Sequence, residues 1–242
     1  MSFRDKESQA LAYEIGFTHR SHVFPDNVYS FESDTVIASA QDTTRPVVGI
    51  APMPYPFSDL LTVPLDAQAL QDGLIDKFAT FAALLVEKSF TLELFGSDTG
   101  ADPVTIEDLR GVSLNRHQIG MPEYSPPISI GELLARMSKL DNVVTCRFHG
   151  VVFAHLLNKP VLAIAHHRKV THLMNTLGLS KYCVDVDMAA FDPVQSRDSF
   201  LSLVCESEVV KKSMATSLTS YRTRLADQFD VLFPSRSCEC HD

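Results

Sequence analysis

The sequence predicts an α/β fold in which helices cover both faces of a parallel sheet. Three observations carry this reading. From Pro46 onward, near-continuous apolar runs alternate with segments of helical period, and an unbroken apolar run is the mark of a strand buried on both faces. The connections between runs are long enough to hold a crossover helix, as parallel pairing demands. Hydrophobic residues make up 45% of the 242, ample for a large core.

The elements follow in order. "PVVGIAP" is a strand closed off by prolines, and "LDAQALQDGLIDKFATFAALLVEKS" is a helix, with Leu70, Leu74, Phe78, Phe81 and Leu85 on one face and Asp66 placed as N-cap. "FTLELFG" is a second strand, ended by Gly96. "TIEDLRGV" predicts a short helix and "SIGELLARMSKL" a better one, with Ser129 and Glu132 spaced as a capping box. Between these two helices the Pro-rich "HQIGMPEYSPP" is placed to form part of a site mouth. Then "NVVTCR", "FHGVVFAHLLNK", "PVLAIA", "RKVTHLMNTLGL" and "YCVDV" read as strand, helix, strand, helix, strand. Helical pattern resumes from Arg197 to about Phe229, and Pro234 ends it.

Residues 1–44 behave differently. "KESQALAYEIG" predicts one helix, capped by Asp5 and stopped by Gly16, and "SFESDTVIASAQDTTR" reads as connection. One helix with a weak strand cannot bury its own apolar face. The expected division is therefore an N-terminal arm or remnant over 1–44 and a Rossmann-like domain with C-terminal helices over 45–242.

Composition narrows the function. A formal net charge of −9 argues against a surface built to neutralise nucleic-acid phosphates. No apolar run is long enough to span a bilayer, and "MSFRDKESQ" places charges where a secretory leader carries its apolar stretch, so a cytoplasmic location is expected. Five cysteines at irregular spacing suit a reducing compartment. Cys146, Cys183 and Cys205 lie in apolar patterns and are expected to be buried thiols. The tail "SCECHD" lacks a second ligand pair, and no metal site is expected.

The candidate site is the turn "CRFHG". In open parallel sheets, ligands bind beyond the carboxyl ends of the strands, where helix N-termini converge. Arg147 and His149 fall there. A helix beginning near Phe148 adds positive potential beside the guanidinium, and Arg147 can grip a carboxylate or phosphate with two parallel hydrogen bonds. His149 can exchange a proton near neutrality. Gly150 would permit a close backbone approach to a ligand. From spacing alone, a surface Arg147 and a His149 bonded to backbone explain the same residues. "AHHRKV" adds His166, His167, Arg168 and Lys169 after the next strand, at least one of which should face the site. His155 and His172 lie within helices and are expected to pack or to face solvent.

The span "LDNVVTCRFHGVVFAHLLNKPVLAIAHHRKVTHLMNTLGLSKYCVDV" resembles the C-terminal part of the polysaccharide pyruvyl transferase family: a strand, an Arg-[Leu/Phe]-His turn, a small-residue helix, "PV" and a strand, then a basic helix ending in "LG". "SFRDKESQALAYEIGF" is similar to the family's Arg-Asp helix, and "VFPDNVY" to the Pro-Asp segment after it. The resemblance implies a domain like the C-terminal half of a GT-B fold, with phosphoenolpyruvate as donor, a sugar hydroxyl pair on a glycan or lipid-linked sugar as acceptor, and no cofactor. Carried onto matching positions, His149 would be the general acid. Arg147, with Phe148, Gly150, His167, Lys169 and Arg4, would bind substrate. The family pattern has a further domain before the Arg-Asp turn, so the expectation is a pyruvyl transferase or its donor-side half: a truncated product, a wrongly placed start, or a subunit completed by a separately encoded N-terminal half, with a homo-oligomer also open. It also lacks an arginine often seen after "VVGIAP", with Met53 and Tyr55 in its neighbourhood. Two other functions stay open: a GT-B glycosyltransferase using a nucleotide sugar, for which Asp185 and Asp187 are weak ribose candidates, and a non-catalytic anion-binding domain.

Overall fold

Residues 1–31, 45–54, 66–185 and 191–232 are described in the computed structural model of the chain. Contacts divide it into two units, Ser33–Met214 and Met1–Glu32 with Ala215–Asp242.

The larger unit is built on a five-stranded parallel sheet in the order β4-β3-β5-β6-β7. Its strands are β3 (Val47–Ala51), β4 (Thr91–Leu94), β5 (Asn142–Thr145), β6 (Val161–Ala165) and β7 (Cys183–Asp185). Burial explains the sequence pattern. Every residue of β3, β5 and β6 is buried, whereas edge strand β4 alternates exposed Thr91 and Glu93 with buried Leu92 and Leu94. The helices are α2 (Ala67–Glu87), α3 (Asp102–His117), α4 (Ile130–Met137), α5 (Phe148–Leu156), α6 (Arg168–Thr176) and α7 (Pro193–Cys205); α8 (Ser207–Leu232) follows. From β3 the chain moves to β4 on one side, then returns past β3 to β5 and continues outward to β6 and β7. Right-handed crossovers in opposite directions place α2 on one face and α5 and α6 on the other. Accordingly α2 packs on α3 and α7, while α5 neighbours α4 and α6. The predicted α/β architecture with helices on both faces is thus the observed one.

Several local expectations change. Asp66 occupies the cap position of α2 without a side-chain cap hydrogen bond. The short helix expected at 105–112 is twice as long: Pro103 is tolerated in the first turn, Gly111 does not interrupt it, and it closes at Gln118 with φ +58°. Ser129 Oγ does accept from Glu132 N, at 3.1 Å, but Glu132 receives Ile128 N–H rather than that of the cap residue itself. The C-terminal helical stretch is two helices, broken at Glu206. Of the three cysteines, only Cys146 is buried; Cys183 is half-buried and Cys205 exposed. Most of the 30–45 connection, Tyr55, Asp187, Pro234 and the Cys-rich tail lie outside the described residues.

The smaller unit carries a parallel pair, β1 (Ser2–Phe3) with β2 (His22–Val23), and α1 (Lys6–Glu14), capped where Asp5 Oδ1 accepts from Ser8 N at 2.6 Å. Its other component is the C-terminal part of α8. Tyr221 meets Tyr29 edge-on at 5.0 Å, and Arg224 donates to Val23 O at 2.8 Å. Tyr29 is thus buried against sequence-distant α8, while Leu11, Tyr13 and Ile15 of the N-terminal segment stay exposed; the grouping differs from 1–44 and 45–242.

Candidate functional site

The chain reverses its direction across the sheet between β3 and β5, so two neighbouring strands send their connections to opposite faces and a crevice opens at their carboxyl ends. A cavity of about 370 Å³ lies there. Met53 reaches it from β3, Ser97, Asp98 and Thr99 from β4, Arg147, Phe148 and His149 from β5, and His166 and Lys169 from β6.

Arg147 is the N-cap residue of α5, with φ −86° and ψ 136°, and its amide is held by Thr145 Oγ1 at 3.1 Å. This geometry turns the chain from strand to helix and sends the guanidinium toward the β4 side of the crevice. There Asp102 Oδ1 receives Nε at 2.9 Å and Nη2 at 2.5 Å. Asp102 is fully buried, yet it is well satisfied, because Oδ2 also accepts the amides of Ser97 and Asp98, each at 3.0 Å. Gly96 makes this approach possible: a Cβ there would stand 2.8 Å from both Asp102 Cβ and the Tyr124 hydroxyl. The Pro-rich loop thus presses Tyr124 against Gly96 and is absent from the cavity lining.

Asp98 stands at the cavity with Oδ2 3.5 Å from Arg147 Nη2, and its Oδ1 accepts from Gly100 and Ala101 amides. The Ala101 amide chiefly, with help from Gly100 and Arg147 and against the opposing effect of burial, holds its carboxyl below the usual range. His149 is exposed at the cavity, its ring between Phe148 at 5.3 Å and Phe153 at 6.0 Å.

The structure therefore brings Arg147, Phe148, His149 and Lys169 to one cavity, joined by His166. Three predicted residues are placed differently. Gly150 is buried, and its close approach is to the protein's own Thr145, whose Oγ1 would lie 2.3 Å from an added Cβ; the glycine seats α5 on β5 rather than admitting a ligand. His167 uses Nδ1 to accept from Lys169 N at 3.1 Å, capping α6, and does not line the cavity. Arg4 belongs to the smaller unit, where it pairs with Asp26 at 3.4 Å. Sequence reasoning missed Asp98 and Asp102. Their signal was "SDTGADP" directly after a strand, a carboxylate pair beside the first turn of a helix. Asp185 ends β7, and His155 is buried in α5, donating Nε2–H to Met214 O at 3.0 Å. No described helix is long and apolar enough to cross a membrane.

The family model for polysaccharide pyruvyl transferase matches residues 1–168. No curated protein matches the chain. Among solved structures, a mutant O-GlcNAc transferase of Thermobaculum terrenum aligns with 86% of this chain and 38% of its own, at 18% identity and a TM-score of 0.50. A spinosyn rhamnosyltransferase complexed with thymidine diphosphate aligns with 80% of this chain and 46% of its own, at 14% identity and a TM-score of 0.48. The chain thus spans less than half the length of these structures. At such identity the likeness is one of fold, that of part of a GT-B glycosyltransferase.

Proposed function

The chain belongs to the polysaccharide pyruvyl transferase family, and from that premise we propose that its cavity holds phosphoenolpyruvate for transfer of pyruvate to two sugar hydroxyls as a ketal, in the making of a cell-surface or secreted glycan. One observation carries the reading: Arg147, His149 and Lys169 line a single cavity where the sheet changes direction. The donor has a phosphate and a carboxylate flanking an enol carbon. Arg147 and Lys169 supply cationic donors for the two anionic groups, and the amino end of α5 adds its dipole.

In the reaction, His149 donates a proton to the methylene carbon, which becomes methyl. The neighbouring carbon takes up one sugar hydroxyl oxygen, the C–O bond to phosphate breaks, and the second hydroxyl oxygen completes the ketal. Of the two hydroxyl protons, one replaces that given by His149 and the other leaves with phosphate, so the sum balances. The phenyl rings beside His149 hold its imidazole in place, and Arg147 and Lys169 stabilise charge gathering on the departing phosphate. On this reading the cavity beyond the carboxyl ends of β3 and β5 is the donor side of the site.

The test is phosphate release from phosphoenolpyruvate with candidate glycans. His149→Ala should lower turnover about 10²-fold or more while donor binding persists, in keeping with the usual contribution of a general acid. Arg147→Ala should weaken donor binding itself. Thermal stabilisation by nucleotide sugars but not by phosphoenolpyruvate would replace this reading with glycosyl transfer.

A further inference from the structure

Arg147 is shared between two carboxylates of unlike standing. Asp102 is buried and anchored by four hydrogen bonds, two from the guanidinium and two from the Ser97 and Asp98 amides. Asp98 has a side chain 46% exposed, and its Oδ2 stands 3.5 Å from Arg147 Nη2, beyond good hydrogen-bonding distance. One guanidinium between two carboxylates gives a formal charge of −1, so an arriving anion meets a cation already neutralised. Asp102 cannot withdraw without stranding two backbone amides and a buried charge. Asp98 can turn Oδ2 toward solvent while Oδ1 keeps the Gly100 and Ala101 amides.

We propose that Asp98 sets the affinity for the donor, as an internal competitor for the outer edge of Arg147 that a phosphate or carboxylate displaces, while Asp102 holds the guanidinium in position. The inference rests on the reading of this cavity as the donor site. It makes Arg147 available in proportion to the anionic charge brought to it, and it assigns the two aspartates opposite effects on binding.

Isothermal titration of the full chain with inorganic phosphate and with phosphoenolpyruvate, at constant ionic strength, tests this. Asp98→Asn keeps an oxygen for the Gly100 and Ala101 amides and removes the charge facing Arg147. It should bind both probes about fivefold more tightly, the scale of a partly exposed ion pair. Asp102→Asn should bind them about tenfold more weakly, because breaking a buried pair frees the guanidinium from its position. Thermal unfolding checks that each variant is folded; should Asp102→Asn not fold, Asp98→Asn and Arg147→Ala still decide. Equal or weaker binding by Asp98→Asn overturns the proposal, as does native-like binding by a folded Asp102→Asn. If the native chain binds phosphoenolpyruvate and Arg147→Ala does not, while Asp98→Asn matches the native chain, the donor site stands and this inference alone fails. If neither the native chain nor Asp98→Asn binds either probe, both fail.

Discussion

A side chain's chemistry in this protein is decided by what it is buried against. His155 is the clearest case: it sits in the core with no exposure, donates to Met214 O, and burial pulls its pKa down to about 4 from 6.5. In the folded chain it stays neutral where an unfolded histidine takes up a proton. Between pH 6.5 and 4 the unfolded state therefore binds more protons, so this contribution to stability is intact above pH 6.5 and is lost as pH falls through that window. The full loss is about 3 kcal/mol for a shift of this size. His155→Gln, which retains an N–H for Met214 O, should flatten the pH dependence of the denaturation midpoint between pH 7 and 4; a profile as steep as the native one would contradict the assignment. Burial also governs Cys146, whose thiol is pushed up to about 12. Brief treatment of the native protein with iodoacetamide, mapped by mass spectrometry, should label exposed Cys205 and leave Cys146 unmodified. At this scale the sequence revealed Arg147 and His149, because a strand-to-helix turn announces itself locally. It did not reveal Asp102, 45 residues away, because a buried ion pair leaves no local periodicity to read.

At the scale of elements, one glycine contact seats α5, the helix whose amino end carries Arg147 and His149. Gly150 lies against Thr145 at the end of β5, and Thr145 in turn holds the Arg147 amide. Gly150→Ala would drive a methyl group to 2.3 Å from Thr145 Oγ1, and the neighbour there is a short, buried side chain with little room to yield. The helix must lift instead. The expected result is a loss of about 1–3 kcal/mol in stability, the usual range for overpacking, and, on the proposed reading of the cavity, weaker phosphoenolpyruvate binding because Arg147 moves with the helix. Adding Thr145→Ala removes Oγ1 and Cγ2 from the clash and should return part of the stability; a double variant no more stable than Gly150→Ala would show that the strain lies elsewhere. Element types were legible because apolar runs and helical spacing are local properties. The length of α3 was not, since the position of Pro103 in a first turn and the harmlessness of Gly111 depend on where the helix starts and what it packs on.

For the whole molecule, composition and pattern announced a parallel sheet but not its order. The sequence is read from one end to the other, whereas the site exists because β5 lies beside β3 and not beside β4. What holds that arrangement in the larger unit is a core of aromatic rings on the α2 and α7 side of the sheet. Phe78 meets Phe191 at 5.0 Å, and Phe200 of α7 meets Phe90 at 5.4 Å and Phe81 of α2 at 6.4 Å. Phe200 has no exposed surface, and α7 packs on both α2 and β6, so this one ring joins a late helix to the first crossover. Removing it leaves a void that close-packed neighbours cannot refill. Phe200→Ala should therefore destabilise the fold by about 3–5 kcal/mol, and Val209→Ala, at an exposed position of α8, by less than about 0.5 kcal/mol. The chain has no Trp, so urea unfolding followed by far-ultraviolet circular dichroism is the suitable measure. If Phe200→Ala unfolds at the native midpoint, the aromatic core does not secure the sheet order, and the crevice at β3 and β5 is held by the strand pairing alone.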